Sequence, residues 1–203
     1  MSSQEEVVNS NNEQDNFDQQ PGSDAELLSP LTRVLHIIIA LGMIGLVGVG
    51  IYMTDFEVYA LYDLHKAFGS ILLVFILARV YWRICEGWPS PLAGTPAWQQ
   101  QIAKLVHWVL LIATVLFPIS GLMMSIGGGH GLSIFGWELV AENMDAAGNT
   151  LALNKSAAGL GKNIHGILRD VILIALALHV GGALKHHIID KDSTLKRMFT
   201  FKS

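Results

Sequence analysis

The 203-residue chain has a single cysteine, Cys85. One thiol forms no internal disulfide, cannot supply the Cys-x-x-Cys-His that tethers a c-type haem, and cannot hold an iron–sulfur cluster within one chain. Lysine and arginine are missing from residues 1–30, which carry seven acids (Glu5, Glu6, Glu13, Asp15, Asp18, Asp24 and Glu26). Without a basic start and a following apolar run there is no cleaved signal peptide to expect, so the first membrane helix has to serve as the insertion signal. That segment also has few large apolar groups and reads as a solvated acidic tail. The net charge of −4 is the tail's doing, since subtracting its seven acids leaves +3 for the rest. So small and dispersed an excess gives no footprint for nucleic acid.

Apolar residues dominate what remains. They make up 51% of the chain, and the mean hydropathy of +0.43 suits one membrane domain better than a soluble one. Val34 to Met53 is an uncharged run of 20 residues, long enough to span a bilayer. A second helix is expected over 64–84, where Lys66 snorkels outward and Arg83 anchors the other end. Three prolines make 88–96 a rigid loop, surrounded by Trp82, Trp88, Trp98 and Trp108 as an aromatic belt. A third helix is expected over 105–126, kinked at Pro118 and Gly121, and a fourth over 162–189. The 127–161 segment between them is a loop long enough to act as a lid. The fold class is therefore all-α, an integral membrane four-helix bundle spanning 31–199. Nine Lys and Arg fall on the face bearing the termini and four on the other, which places both termini in the cytoplasm.

The organising stretch is His165 to His179, apolar throughout except for Arg169 and Asp170. As a helix, its fourteen-residue offset turns through about 1400°, some 40° short of four whole turns, and rises about 21 Å. The two imidazoles share a face at two depths. Ionisable groups inside a membrane usually mark a pathway or a ligand site. In the four-span topology His165 shares a depth with His65, and His179 shares one with His36. Two facing imidazoles per layer can hold a porphyrin iron between helices. Zinc would recruit Cys, Asp or Glu as further ligands, and none lies beside these histidines at membrane depth. With both axial positions filled the chemistry is one-electron transfer. His107 competes with His36, being equally close to the basic cytoplasmic rim. Arg79 lies fourteen residues after His65, where it could meet a haem propionate or act as a positive-inside anchor. His186, one heptad past His179, could bind a quinone carbonyl or a propionate, or simply be solvated at the interface. Gly69, Gly166, Gly181, Gly182 and Ala183 suit close approach of a flat macrocycle, although helix packing is the first reading for these glycines.

These residues form a pattern that resembles the bacterial cytochrome b561 family of small four-helix dihaem inner-membrane cytochromes. The pattern is His65-x3-Gly69-x9-Arg79-x3-Arg83, then His107 with Pro118-x-x-Gly121, then Phe135-Gly136. It ends in His165-x13-His179-x6-His186-His187 and Lys191-Asp192-x-Thr194-Leu195-x-Arg197-Met198. The resemblance implies two non-covalent haem b groups, with His65 and His165 on the outer one and His36 and His179 on the inner one. It also implies electron exchange between the quinone pool, ubiquinone being the partner, and an outer-face donor or acceptor. One similar branch of the family oxidises superoxide. Ile37 departs from the pattern, because the family often has tryptophan after the first histidine. Two other readings stay open: a cytochrome subunit that depends on a partner protein in a larger dehydrogenase or hydrogenase complex, and a haem-free ion or metal transporter.

Overall fold

The computed structural model describes residues 28–87, 96–191 and 198. The acidic tail up to residue 27, residues 88–95 of the proline loop, and Lys196, Arg197 and Lys202 of the C-terminal tail lie outside the described residues.

Four long helices carry the fold. Helix α1, Pro30–Asp55, starts with proline in its first turn and with the Ser29 side chain accepting from the Thr32 amide at 3.2 Å. Both devices suit a helix N-terminus, whose first amides have no partners within the helix. After a 3-10 turn at Tyr59–Leu61 comes α2, Tyr62–Glu86, which ends where Gly87 adopts φ 80°. Helix α3, Ala97–Gly127, runs unbroken through Pro118, and α4, Lys155–Ile188, begins with the Asn154 side chain accepting from Ala157. All four are long and apolar enough to cross a membrane.

Each helix overruns the apolar stretch expected for it, most of all α3 and α4, which begin near 97 and 155 instead of 105 and 162. The hydrocarbon slab limits only the apolar part of a helix; hydrogen bonding and caps carry the polar ends further.

The all-α expectation needs one amendment. Between α3 and α4 the chain forms an antiparallel hairpin, β1 Leu132–Ile134 with β2 Trp137–Val140, pairing Ile134 with Trp137 and Ser133 with Glu138. Its two-residue turn is Phe135-Gly136, with φ of 49° and 89°, the positive values that a tight hairpin turn requires. The Ser125 hydroxyl donates to the Gly131 carbonyl at 3.0 Å, and Lys66 Nζ reaches the His130 carbonyl at 3.1 Å, tying the hairpin to the ends of α3 and α2.

The core is a thin apolar slab. Ile39, Met43 and Val47 recur every four residues along one face of α1. They meet Leu72 and Ile76 of α2, Ala113 and Phe117 of α3, and Ile172 of α4. Ile76 is the most enclosed of these, 2% exposed. Leu41, Val74, Ile174 and many others face outward, as hydrocarbon contact demands.

Backbone contact is closest between α3 and α4. A Cβ on Gly161 would lie 2.7 Å from the Met124 amide nitrogen, and one on Gly127 would lie 3.0 Å from that of Ala158. Small residues let membrane helices approach in this way. Helices α1 and α2 also pack together, as do α2 and α3, whereas the backbone of α4 stands further from α1 and α2.

Candidate functional site

Across those wider separations face the histidines of α1, α2 and α4. His36 and His179 have ring centroids 6.1 Å apart with planes at 70°, and His65 and His165 are 6.5 Å apart at 83°. Two imidazoles coaxially ligating one metal through bonds of about 2 Å have centroids about 6.3 Å apart, once about 1.1 Å from each ring centre to its nitrogen is added. Both pairs have this separation. His107 lies 5.1 Å from the same His179 ring, about 1 Å short of that geometry.

The ring at His165 is the most firmly oriented. Its Nδ1 lies 2.9 Å from the Phe117 carbonyl and 3.1 Å from the Ser120 hydroxyl, while its face stacks on Phe117 at 4.0 Å and 11°. A carbonyl only accepts, so Nδ1 carries the proton and Nε2 keeps its lone pair for a ligand. This is the arrangement that fixes ring and tautomer in metal-binding histidines. The Nδ1 atoms of His36 and His65 are buried with no hydrogen-bond partner among the described residues. Since buried polar atoms are nearly always satisfied, neither ring is fully accounted for by the protein groups around it.

Glycines make room for two of the rings. A Cβ on Gly121 would come within 3.1 Å of His165 Cε1, and one on Gly50 within 3.2 Å of His65 Cε1. Gly121, expected to kink α3 together with Pro118, thus also makes room for a ring, and nothing in the sequence around Gly50 points to such a role. The packing role expected for Gly69, Gly166, Gly181 and Gly182 is not met, because a Cβ at any of them would touch no protein atom within 4 Å. Gly69 lies one turn beyond His65 and Gly182 nearly one turn beyond His179, so each leaves open the face beside a ring.

Around the second pair, Arg79 makes no hydrogen bond or ion pair among the described residues and lies within electrostatic reach of His36, His107 and His179. A half-buried guanidinium facing imidazoles calls for an anion. His186 Nδ1 lies 3.0 Å from Asp190, which also takes Lys185 at 2.8 Å, and Lys185 reaches Gln99 at 3.0 Å. The last turn of α4 is thereby tied to the start of α3. No group of three or more His, Cys, Asp or Glu placed to hold a bare metal ion occurs among the described residues.

Four apolar spans with facing imidazoles at two depths have the architecture of a membrane cytochrome. The chain matches the prokaryotic cytochrome b561 family over residues 27–201 and belongs to it. It is 30% identical over 173 residues to cytochrome b561 homolog 2 of Escherichia coli K12, covering 83% of this chain and 88% of that one. Cytochrome b561 homolog 1 of the same organism is 29% identical over 136 residues, 67% and 73% of the two chains. The probable superoxide oxidase CybB of Yersinia pestis is 26% identical over 139 residues, 68% and 74%. Membership implies haem b and electron transfer in a prokaryotic membrane, and the paired rings, the orphaned nitrogens and the glycines beside them fit that cofactor.

Proposed function

We propose that the chain is a dihaem b-type cytochrome of the bacterial inner membrane, with cytoplasmic termini, passing electrons between a reactant at the outer, hairpin-bearing end and the quinone pool. The observation that carries this reading is the pair of facing imidazole couples, 6.1 and 6.5 Å between centroids, held by three different helices. His65 and His165 would hold the outer haem, and His36 and His179 the inner one. Haem b ligated by two imidazoles has no open iron position and supplies outer-sphere, one-electron chemistry. Arg79 offers its charge to a propionate near the inner pair. His186 sits at the inner rim, where a quinone carbonyl could reach it. The apolar slab between the layers excludes water, which disfavours an ion or proton relay through the same histidines.

Two experiments test this. Pyridine haemochrome analysis should give two haem b per chain, falling to one in His165→Ala and in His179→Ala. Ferric EPR should show strongly anisotropic low-spin signals, because near-perpendicular axial rings leave the iron d-orbitals almost degenerate. Full haem content in either variant would refute the ligand assignment, and rhombic spectra would refute the near-perpendicular ring orientation. A cytochrome subunit of a larger complex shares this geometry; co-purification of a stoichiometric partner in mild detergent would identify it.

Superoxide as the outer reactant is disfavoured by charge. The hairpin end carries Lys66, Lys155, Lys162 and Arg169 against Asp55, Glu57, Asp63, Glu138, Glu142, Asp145 and Asp170. Two of those cations are already paired, Lys66 with Asp63 at 2.9 Å and Arg169 with Asp170 at 2.8 Å. An acidic rim repels an anion, so any superoxide reaction should speed up with added salt.

A further inference from the structure

The hairpin presents to its surroundings the residues a soluble loop would bury. Phe135, Trp137 and Leu139 are 61, 80 and 59% exposed, and with Ile134 they line one shallow apolar concavity. Phe135 occupies a turn position with φ of 49°, which Gly, Asn and Asp adopt with least strain, so a bulky aromatic there is a costly choice. Its ring packs edge-on against Phe68 at 5.3 Å. Phe68 is itself half exposed and stands on the outward surface of α2, beside Leu64. The apolar hairpin face is therefore continuous with the surface of a spanning helix. Lys66, on the same turn of α2, marks the depth of the polar boundary, its ammonium held by Asp63 and the His130 carbonyl. Tryptophan is the residue most at home at that level. The only other tryptophans, Trp82, Trp88, Trp98 and Trp108, cluster in sequence about the opposite end of the bundle.

From this continuity we infer that the hairpin is an interfacial anchor, with Phe135, Trp137 and Leu139 seated in the headgroup and upper acyl region of the lipid leaflet at that end. Glu138, which alternates to the other face of β2, points back to water. The hairpin then holds the α3–α4 connection down against the membrane beside the His65–His165 layer.

Nitroxide side chains at Leu139→Cys and, separately, at Glu138→Cys test this in a Cys85→Ser background with Trp137 and Phe135 intact. The full-length protein is reconstituted in phosphatidylethanolamine–phosphatidylglycerol vesicles. Position 139 should collide more with oxygen than with a water-soluble nickel chelate, and 138 should show the reverse. The chelate winning at both positions would mean that the hairpin stands in water. Exclusion of both probes at 139 would mean that protein covers it. Either result overturns the assignment, and neither depends on haem content.

Discussion

Gly121→Val offers the sharpest perturbation of the proposed outer site. The new Cβ would lie 3.1 Å from His165 Cε1 and 3.3 Å from Nδ1. Carbon atoms at rest stand about 3.5–4.0 Å apart, so the ring has to retreat by several tenths of an ångström before valine's methyls are counted. It cannot retreat freely, since it is stacked on Phe117 and bonded through Nδ1 to the Phe117 carbonyl at 2.9 Å. Moving it breaks that second-sphere bond, a loss worth about 10–100-fold in metal affinity. In free energy this is about 1.4–2.8 kcal/mol. The expected outcome is selective loss of one haem. Haemochrome stoichiometry should fall from two towards one, and a redox titration should lose one of two waves. Gly45→Val is the control, because it makes the same change of residue type where a Cβ meets nothing within 4 Å. A folded Gly121→Val protein with two haems and unchanged potentials would show that His165 is not held as a ligand.

Three further outcomes can be checked. His36→Ala should lose one haem while His107→Ala keeps both, because the His107 ring is only 5.1 Å from His179; haemochrome content of the two purified variants decides it. Gly161→Leu should push α3 and α4 apart, since even its Cβ would lie 2.7 Å from the Met124 nitrogen; a stability loss of about 1–3 kcal/mol or more is expected, read by denaturant titration in detergent. Asp145 is held below the usual carboxylate range by the Asn149 side-chain amide and then by backbone N–H groups of Asn149, Ala147 and Gly148. A depressed pKa means that the stabilisation is present above the unfolded value of about 3.9 and is lost as pH falls through the folded one. Protection of the Ala147 and Asn149 amides from hydrogen exchange should therefore fall in acid, and Asp145→Ala should lower it at neutral pH.

The helices were legible because charges interrupt apolar runs at membrane length, but their true ends were not. Trp98 to Lys104 and Lys155 to Gly161 are helical outside the long apolar runs, and a reading based on span length overlooks them. The hairpin does have a signal, a Phe-Gly turn between short β-prone stretches, but stretches of three and four residues are too short to stand out from a loop. Depth alone pairs His65 with His165 and offers His179 two facing rings, His36 and His107. The choice between His36 and His107 could not be read, since a difference of about 1 Å in ring separation has no counterpart in sequence spacing. The sequence marks Gly121 as a kink position beside Pro118 and says nothing of the ring it makes room for. Gly50 left no trace, because its meaning depends on which side chain the fold brings opposite.

The segment between His165 and His179 works as a ruler. Fourteen steps leave the two side chains about 40° apart around the helix axis. That divergence aims one at α2 and the other at α1, the helices that bear His65 and His36. Adding or deleting one residue inside the interval would swing one imidazole by about 100°, uncoupling it from its partner whatever the inserted amino acid. Within this interval the count of residues therefore carries more information than the choice of apolar side chain, and homologues should be free to exchange Ile, Leu, Val and Ala there while never changing its length.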